Sequence, residues 1–118
     1  MKAVAAIAFL FMVAMLPASA EQACPKYRDN CVSLDTFKCS EITQNTKSVF
    51  RVCHDAARRY LIIWLGKKRV PYHYCNIPAE VVERLLKADS IDEFYMKAIW
   101  SKKGEVRFDC KQHPVPEY

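Results

Sequence analysis

Six cysteines in a chain of 118 residues constrain the fold more than any other feature of the sequence. All of them lie after residue 20, at Cys24, Cys31, Cys39, Cys53, Cys75 and Cys110. An even number of cysteines in a short chain outside the reducing cytoplasm is typical of a disulfide framework. Such bonds stabilise a domain whose hydrophobic core is small. The sequence therefore predicts three disulfides and no free thiol.

The first twenty residues predict export from the cytoplasm. Lys2 gives a charged start, residues 3–16 are apolar throughout, and small residues precede Glu21. This pattern is typical of a secretory signal peptide that is cleaved after Ala20. The apolar run is shorter than the roughly twenty residues that a membrane-spanning helix needs. We expect a secreted or periplasmic bacterial protein with no transmembrane segment after signal removal.

The hydrophobic pattern predicts strands followed by helices. Three β-rich segments separated by short turns cover residues 48–53, 59–65 and 69–75. The middle segment is apolar on both faces, which indicates the centre of a sheet. Pro78 fits the start of a first helix, and Ser90 with Glu93 forms a capping box that starts a second. A last short strand is predicted at 105–110.

These elements predict an α+β domain, in which an antiparallel meander of three or four strands is covered by two helices and stapled by disulfides. The N-terminal arm that carries three of the cysteines shows no hydrophobic period, so we expect it to be irregular. The predicted parts are a signal peptide, this arm, one domain and a C-terminal tail, at residues 1–20, 21–47, 48–110 and 111–118.

Strand order narrows the disulfide connectivities that six cysteines allow. Cys24 and Cys31 both lie in the arm, so we pair them with each other. Cys53 and Cys75 end the first and third strands, which the middle strand holds about 9–10 Å apart. A disulfide needs Cα atoms about 4.4–6.8 Å apart, so this pair is excluded. Two options remain, Cys39–Cys53 with Cys75–Cys110, or Cys39–Cys75 with Cys53–Cys110. We favour the first, because Cys39 can fold back along the first strand.

A zinc site is the chemical alternative to these disulfides. His73 and Cys75 share a strand face, and Cys110 with His113 has a C-x-x-H spacing, so the four form a candidate ligand set. Their spacing matches no zinc-finger frame, and we predict neither a metal nor a cofactor. The neighbouring pair Cys53-His54 would face opposite sides of a strand, and no common catalytic motif occurs. The sequence therefore predicts a non-catalytic protein.

Charge is distributed unevenly along the chain. No acidic residue occurs from residue 56 to residue 79, whereas five cations cluster around the two predicted hairpin turns, namely Arg58, Arg59, Lys67, Lys68 and Arg69. This asymmetry predicts an electropositive end of the sheet that contacts an anionic polymer or an acidic protein. The alternative is that these charges only keep the turns and the sheet edges soluble.

Tyr72 and Tyr74 alternate along the third strand and therefore project from one face of it. Aromatic rings beside cations can stack on the bases of a single-stranded nucleic acid. The same pair could instead lie in the core under the helices. The core position is favoured, because the two tyrosines stand opposite an apolar central strand.

Residues 72–82 and 85–90 resemble the KTSC domain, a small module also found at the C-terminus of some lysyl-tRNA synthetases. Tyr72 and Tyr74 correspond to the Y-x-Y hallmark of that family. The similar register continues at Phe94, Tyr95 and Ile99 and covers about residues 48–108. The resemblance implies a domain of unassigned activity for which RNA binding has been suggested.

The sequence departs from a cytoplasmic KTSC module in its signal peptide, in its cysteines, and at 100–102, where a basic residue followed by Gly is expected. We therefore expect an exported, non-catalytic binding module that contacts an anionic partner through its basic hairpin residues. The alternative implied by the resemblance is an RNA-binding module that uses Tyr72 and Tyr74 as stacking platforms.

Export and complete disulfide pairing predict the mass of the isolated protein. We expect it to begin at Glu21 and to take up no alkyl group before reduction, because every cysteine is paired. Intact-mass spectrometry with alkylation before and after reduction measures both properties. Alkylation of the folded, unreduced protein, or stoichiometric zinc, would contradict the three-disulfide framework.

Overall fold

The computed structural model of this protein describes residues 21–100 and 107–118. In chain order the described elements are β1 Gln22–Ala23, β2 Val32–Ser33, β3 Lys38–Glu41, β4 Val49–Asp55, β5 Tyr60–Leu65, β6 Val70–Tyr74, α1 Ala79–Lys87 and α2 Ile91–Phe94, which continues as a π-helical turn over Tyr95–Ile99. None of the described helices is both long and apolar enough to cross a membrane. The predicted signal peptide, 1–20, lies outside the described residues.

Strands β3 to β6 form one antiparallel sheet with the order β3-β4-β5-β6, and β1 pairs with β2 in a separate two-stranded ribbon. The expected α+β class is therefore confirmed, as is the meander of β4, β5 and β6. Strand β5 lies between β4 and β6, which is the central place that its apolar sequence predicts. Tyr60, Leu61, Ile62 and Ile63 of this strand are all fully buried.

The helices cover one face of the sheet. Leu61 and Ile63 of β5 pack there against Val82 and Leu85 of α1, and Tyr95 completes the cluster from the π-helical turn. A strand exposes alternate residues to opposite faces, so this cluster uses only the odd-numbered residues of β5. The two predicted helices thus bury their apolar stripes against the sheet, as expected.

The second helix begins as its sequence predicts. The hydroxyl oxygen of Ser90 accepts a hydrogen bond from the backbone N–H of Glu93 at 3.2 Å. The Glu93 carboxylate pairs with Lys97 one turn later instead of reaching back to Ser90. Only the first half of the capping box is therefore formed, and it satisfies one of the free N–H groups at the helix start.

The N-terminal arm covers the other face of the sheet. Ala23, Val32 and Leu34 of the arm are buried there against Tyr60 and Ile62 of β5. The prediction that the arm is irregular was wrong, because it contains β1, β2 and β3. Strand β3 is exposed along most of its length, and so it lacks the apolar alternation from which a strand can be predicted.

The fourth strand of the sheet is β3 and not the segment at 105–110. Residues 107–110 of that predicted strand contain turns, and residues 105–106 lie outside the described residues. The Cys75 backbone N–H still donates to the Phe108 carbonyl oxygen at 2.8 Å. This segment therefore approaches the end of β6 without forming a strand in its described part.

Three disulfides join the arm, the sheet and the segment that follows the helices. The pairs are Cys24–Cys31, Cys39–Cys53 and Cys75–Cys110, with Cα separations of 4.2, 4.0 and 4.9 Å. They are the pairs that the sequence analysis favours. Cys39 and Cys53 stand directly opposite each other in the β3–β4 ladder. Because Cys75 and Cys110 are bonded to each other, neither thiol is available to the zinc site considered above.

Asp92 ties the loop before β4 to the start of α2. Its carboxylate accepts hydrogen bonds from the backbone N–H groups of Lys47, Ser48 and Val49 at 2.7, 3.1 and 3.0 Å, and from the Thr46 hydroxyl at 3.1 Å. Partial burial alone would raise the pKa of Asp92, but these four donors outweigh it and lower the pKa. The charged carboxylate of Asp92 therefore holds the loop before β4 against the start of α2.

The change Asp92→Asn should lower the free energy of unfolding by about 2–4 kcal/mol, because hydrogen bonds to a charged group are lost and its donors remain partly buried. Chemical denaturation measures this. The control Glu93→Gln removes an exposed ion pair and should cost under about 0.5 kcal/mol.

The cost of Asp92→Asn should also depend on pH. A carboxyl whose pKa is lowered by folding stabilises the protein above its unfolded pKa of about 4, and that stabilisation is lost as the pH falls through the lowered folded value. The difference between the two proteins should therefore shrink below about pH 4. A difference that stays constant through this range would contradict the role of the charge.

Candidate functional site

The five candidate cations do not form one patch. Arg58 and Arg59 lie in the turn between β4 and β5, whereas residues 67–69 lie in the turn between β5 and β6. Successive turns of an antiparallel meander lie at opposite ends of the sheet, and the six residues of β5 separate them by roughly 20 Å. The prediction of a single electropositive end formed by both turns was therefore wrong.

Arg58 is held by groups inside the protein. Its guanidinium bonds to the Asp55 carboxylate at 3.1 Å and lies 4.8 Å from the ring centroid of Tyr118. Burial alone would raise the pKa of Asp55, but hydrogen bonds from Thr36, Arg58 and Tyr118 lower it. The side chain of Asp55 is only 2% exposed, so it needs a cation beside it. Arg58 therefore has a structural role.

The second turn presents cations without acidic partners. The Gly66 N–H donates to the Ser48 carbonyl at 2.8 Å, and the Arg69 N–H closes the turn on the Gly66 carbonyl at 2.9 Å. The Arg69 guanidinium lies 5.1 Å from the ring centroid of Phe50. Across the described ranges 21–100 and 107–118, no carboxylate lies within ion-pair distance of its three cations, Lys67, Lys68 and Arg69. We call residues 66–69 the basic turn.

Tyr74 belongs to the core on the helix side. Its hydroxyl shares a hydrogen bond with the Tyr95 hydroxyl, and the two rings meet edge to face with centroids 6.0 Å apart. Burial raises the pKa of Tyr74. Because its ring packs against the helix and its hydroxyl is bonded there, Tyr74 is not free to stack on a ligand.

Tyr72 lies closer to the surface, beside the arm. Its ring is half-buried and stands 6.5 Å from the ring of Tyr27, centroid to centroid. The Lys26 N–H donates to the Pro71 carbonyl at 2.8 Å, and the Lys26 ammonium lies 5.8 Å from the Tyr72 ring centroid. The arm therefore runs along the free edge of β6 and brings an exposed ring and a cation to it.

Two adjoining cavities follow β6 on the helix side and share Tyr72, Tyr74 and Trp100. The outer cavity, about 480 Å³, is also lined by Tyr27, Phe108, Asp109, Lys111 and Val115. The inner cavity, about 420 Å³, is also lined by Leu65, Gly66, Asp92, Tyr95 and Met96. We call the two together the β6 groove. It begins at the basic turn and ends beside the arm.

Sequence reasoning found Tyr72 and Tyr74 but missed the rest of the β6 groove. Tyr27 lies 73 residues before Trp100, and neither it nor Phe108 is joined to Trp100 by a local pattern. One usable signal was Trp100, which follows the apolar stripe of the second helix and is 38% exposed. A large ring at the end of a buried stripe can indicate a surface that another molecule covers.

The other face of β6 carries His73. Its Nδ1 atom shares a hydrogen bond of 2.7 Å with the Tyr60 hydroxyl, and burial lowers the pKa of the ring. In the described part of the chain, no three side chains of the kinds that ligate metals lie close enough together to hold an ion. The arrangement along β6 therefore offers aromatic surface and positive charge, which are properties of a binding site.

Comparison with known proteins adds a family to this geometry. Residues 45–102 match the family model of the KTSC domain. Neither the curated proteins nor the solved structures contain a significant match to this chain. The matched segment holds β4 to β6, α1, α2 and the Y-x-Y hallmark at Tyr72 and Tyr74, so the resemblance seen in the sequence is confirmed. Residues 45–102 of this chain are therefore a KTSC domain.

Proposed function

We propose that this protein is an exported, non-catalytic binding module that contacts an anionic partner through its basic turn. The observation that carries the proposal is the set of three exposed cations at one sheet end, Lys67, Lys68 and Arg69. No carboxylate in the described part of the chain neutralises them. Arg58, in contrast, is bound to Asp55 and is therefore not part of the proposed contact.

The overall charge supports an anionic partner. The sequence carries a formal net charge of +5, which becomes +4 without Lys2 of the expected signal peptide. A positive field raises the rate at which anionic molecules reach a positive surface. The basic turn has a defined backbone, because it is hydrogen-bonded internally and to Ser48. Its cations are thus presented from a fixed loop, which lowers the entropy that binding costs.

Export is supported by two independent features. Residues 1–20 have the charged start, apolar run and small residues of a cleaved signal. Three disulfides with no free cysteine among the described residues are typical of an oxidising compartment. Both features support a partner that lies outside the cytoplasm.

Binding of poly-L-glutamate tests the basic turn. The combined changes Lys67→Ser, Lys68→Ser and Arg69→Asn should weaken binding roughly tenfold, because each lost charge contact contributes a fraction of a kcal/mol. Asn is chosen for Arg69, whose φ of 50° it tolerates. Fluorescence anisotropy measures the affinity, and a thermal melt verifies the fold.

A matched control removes the same charge elsewhere, through Lys38→Ser, Arg59→Asn and Lys87→Ser, and should change the affinity far less. Raising the salt concentration from about 50 to about 500 mM should weaken binding of the unchanged protein, because exposed charges are then screened. Equal losses in the two triple variants, or binding that ignores salt, would contradict the basic turn as the contact.

A single-stranded nucleic acid is the second candidate partner. The observation that favours it is the Tyr72 ring, which lines the β6 groove with the Lys26 ammonium nearby. Tyr74 packs against Tyr95 and is unavailable, so Tyr72 is the one of the two hallmark tyrosines that can act as a stacking platform.

A short oligothymidylate distinguishes this candidate from the first. If bases stack on Tyr72, then Tyr72→Ala should weaken oligonucleotide binding by about tenfold or more and leave poly-L-glutamate binding unchanged. Tyr74→Ala should instead lower the melting temperature, since it removes a core ring. Oligonucleotide binding that survives Tyr72→Ala would reject the stacking role.

A further inference from the structure

We propose that the β6 groove anchors an aromatic side chain of an acidic peptide segment, which makes the partner an acidic protein and not a simple polyanion. This inference rests on the proposed function, because the basic turn would hold the acidic residues that flank the anchor. The two sites adjoin at Gly66, which belongs to the turn and lines the inner cavity.

The groove exposes several large apolar side chains at the surface. Tyr27 is 75% exposed, Met96 49% and Trp100 38%. These residues come from different elements and line adjoining cavities. Aromatic side chains that gather at the surface are typical of the centres of protein interfaces, where a few of them supply most of the binding energy.

Three of the polar groups that line the groove are already paired within the protein. The Tyr74 hydroxyl is bonded to Tyr95, and the Asp109 carboxylate accepts from the Lys111 N–H at 2.8 Å. Asp92, at the inner end, is occupied by its four donors. An aromatic ring has no donor or acceptor of its own that would be left unpaired on burial, so it loses no hydrogen bond there.

The charges around the groove favour an anionic segment. Lys26 and Lys111 lie at the outer end, and the three cations of the basic turn lie at the inner end. Asp109 lines the outer cavity and Asp92 lines the inner one, and both carboxylates oppose this preference locally, but the five cations outnumber them. Cations at both ends would attract acidic residues on either side of the anchor and suppress binding of basic partners.

The size of the groove also fits a peptide anchor. Cavities of about 480 and 420 Å³ lie within the usual range for ligand sites, roughly 300–1,000 Å³. One aromatic side chain with its backbone neighbours fills either cavity, and the acidic flank then reaches the turn or the arm. The groove therefore accommodates a short segment and not a folded domain.

Two labelled peptides of Glu and Gly test this inference, one with a single central Phe and the other with Ser at that position. We expect the Phe peptide to bind about tenfold more tightly, the usual gain from burying an aromatic anchor. The change Trp100→Ala should abolish this preference and leave binding of the Ser peptide unchanged. Tyr27→Ser is a second, independent variant at an exposed position and should reduce the preference as well.

Leu86→Ala is the matched control, because Leu86 is exposed to a similar degree (41%) and does not line the groove. Equal affinity for the two peptides, or a preference that survives both groove variants, would overturn the inference. If oligothymidylate displaces the Phe peptide at a lower concentration than the Ser peptide does, the inference is overturned in favour of a nucleic acid.

The outcomes also separate the inference from the proposed function. If the basic turn alone binds, both peptides bind equally and both weaken when its cations are removed. If the basic turn does not bind, the Ser peptide fails to bind and the cation variant changes nothing. In that case a remaining, salt-independent affinity for the Phe peptide would support the groove and reject the turn.

Discussion

Burial of β5 on both faces is the constraint on which the rest of the structure depends. Leu61 and Ile63 need a cover on one side, and Tyr60 and Ile62 need one on the other. The helices of the KTSC domain supply only the first cover. The second comes from the arm and from residues after the helices, outside the matched segment 45–102. The additions to the domain are therefore a layer that its sheet requires.

Disulfide connectivity follows from this layered arrangement. Cys39–Cys53 and Cys75–Cys110 each join one cysteine of the matched segment to one outside it, while Cys24–Cys31 closes the arm on itself. Covalent links offset part of the entropy of ordering this second cover. The arm and the segment after the helices also reach the helix side and supply the outer wall of the β6 groove, through Tyr27 and Phe108, so the candidate site and the covalent frame share these two segments.

The elements that were predicted correctly are those whose formation depends on residues close together in the sequence. Three features could be predicted because each depends on neighbours in sequence. They are the apolar run of β5, the helical stripe with Val82 and Leu85, and the Ser90 cap. Strand β3 could not be predicted, because an exposed edge strand carries no apolar alternation. It is held by its hydrogen bonds to β4 and by the disulfide of Cys39. The β6 groove could not be predicted either, because its walls come together only in the folded chain.

The error over the cations has a different cause. Arg58 and Lys67 are near in sequence, but one strand lies between their turns, and an antiparallel strand always carries its two ends apart. Identical charges then acquire different roles from their surroundings. A guanidinium beside the buried Asp55 compensates a charge that would otherwise destabilise the core. The ammonium groups of the basic turn have no acid to compensate among the residues that the structure describes. The availability of a cation for a partner is thus decided by the nearest carboxylate and not by the density of basic residues along the chain.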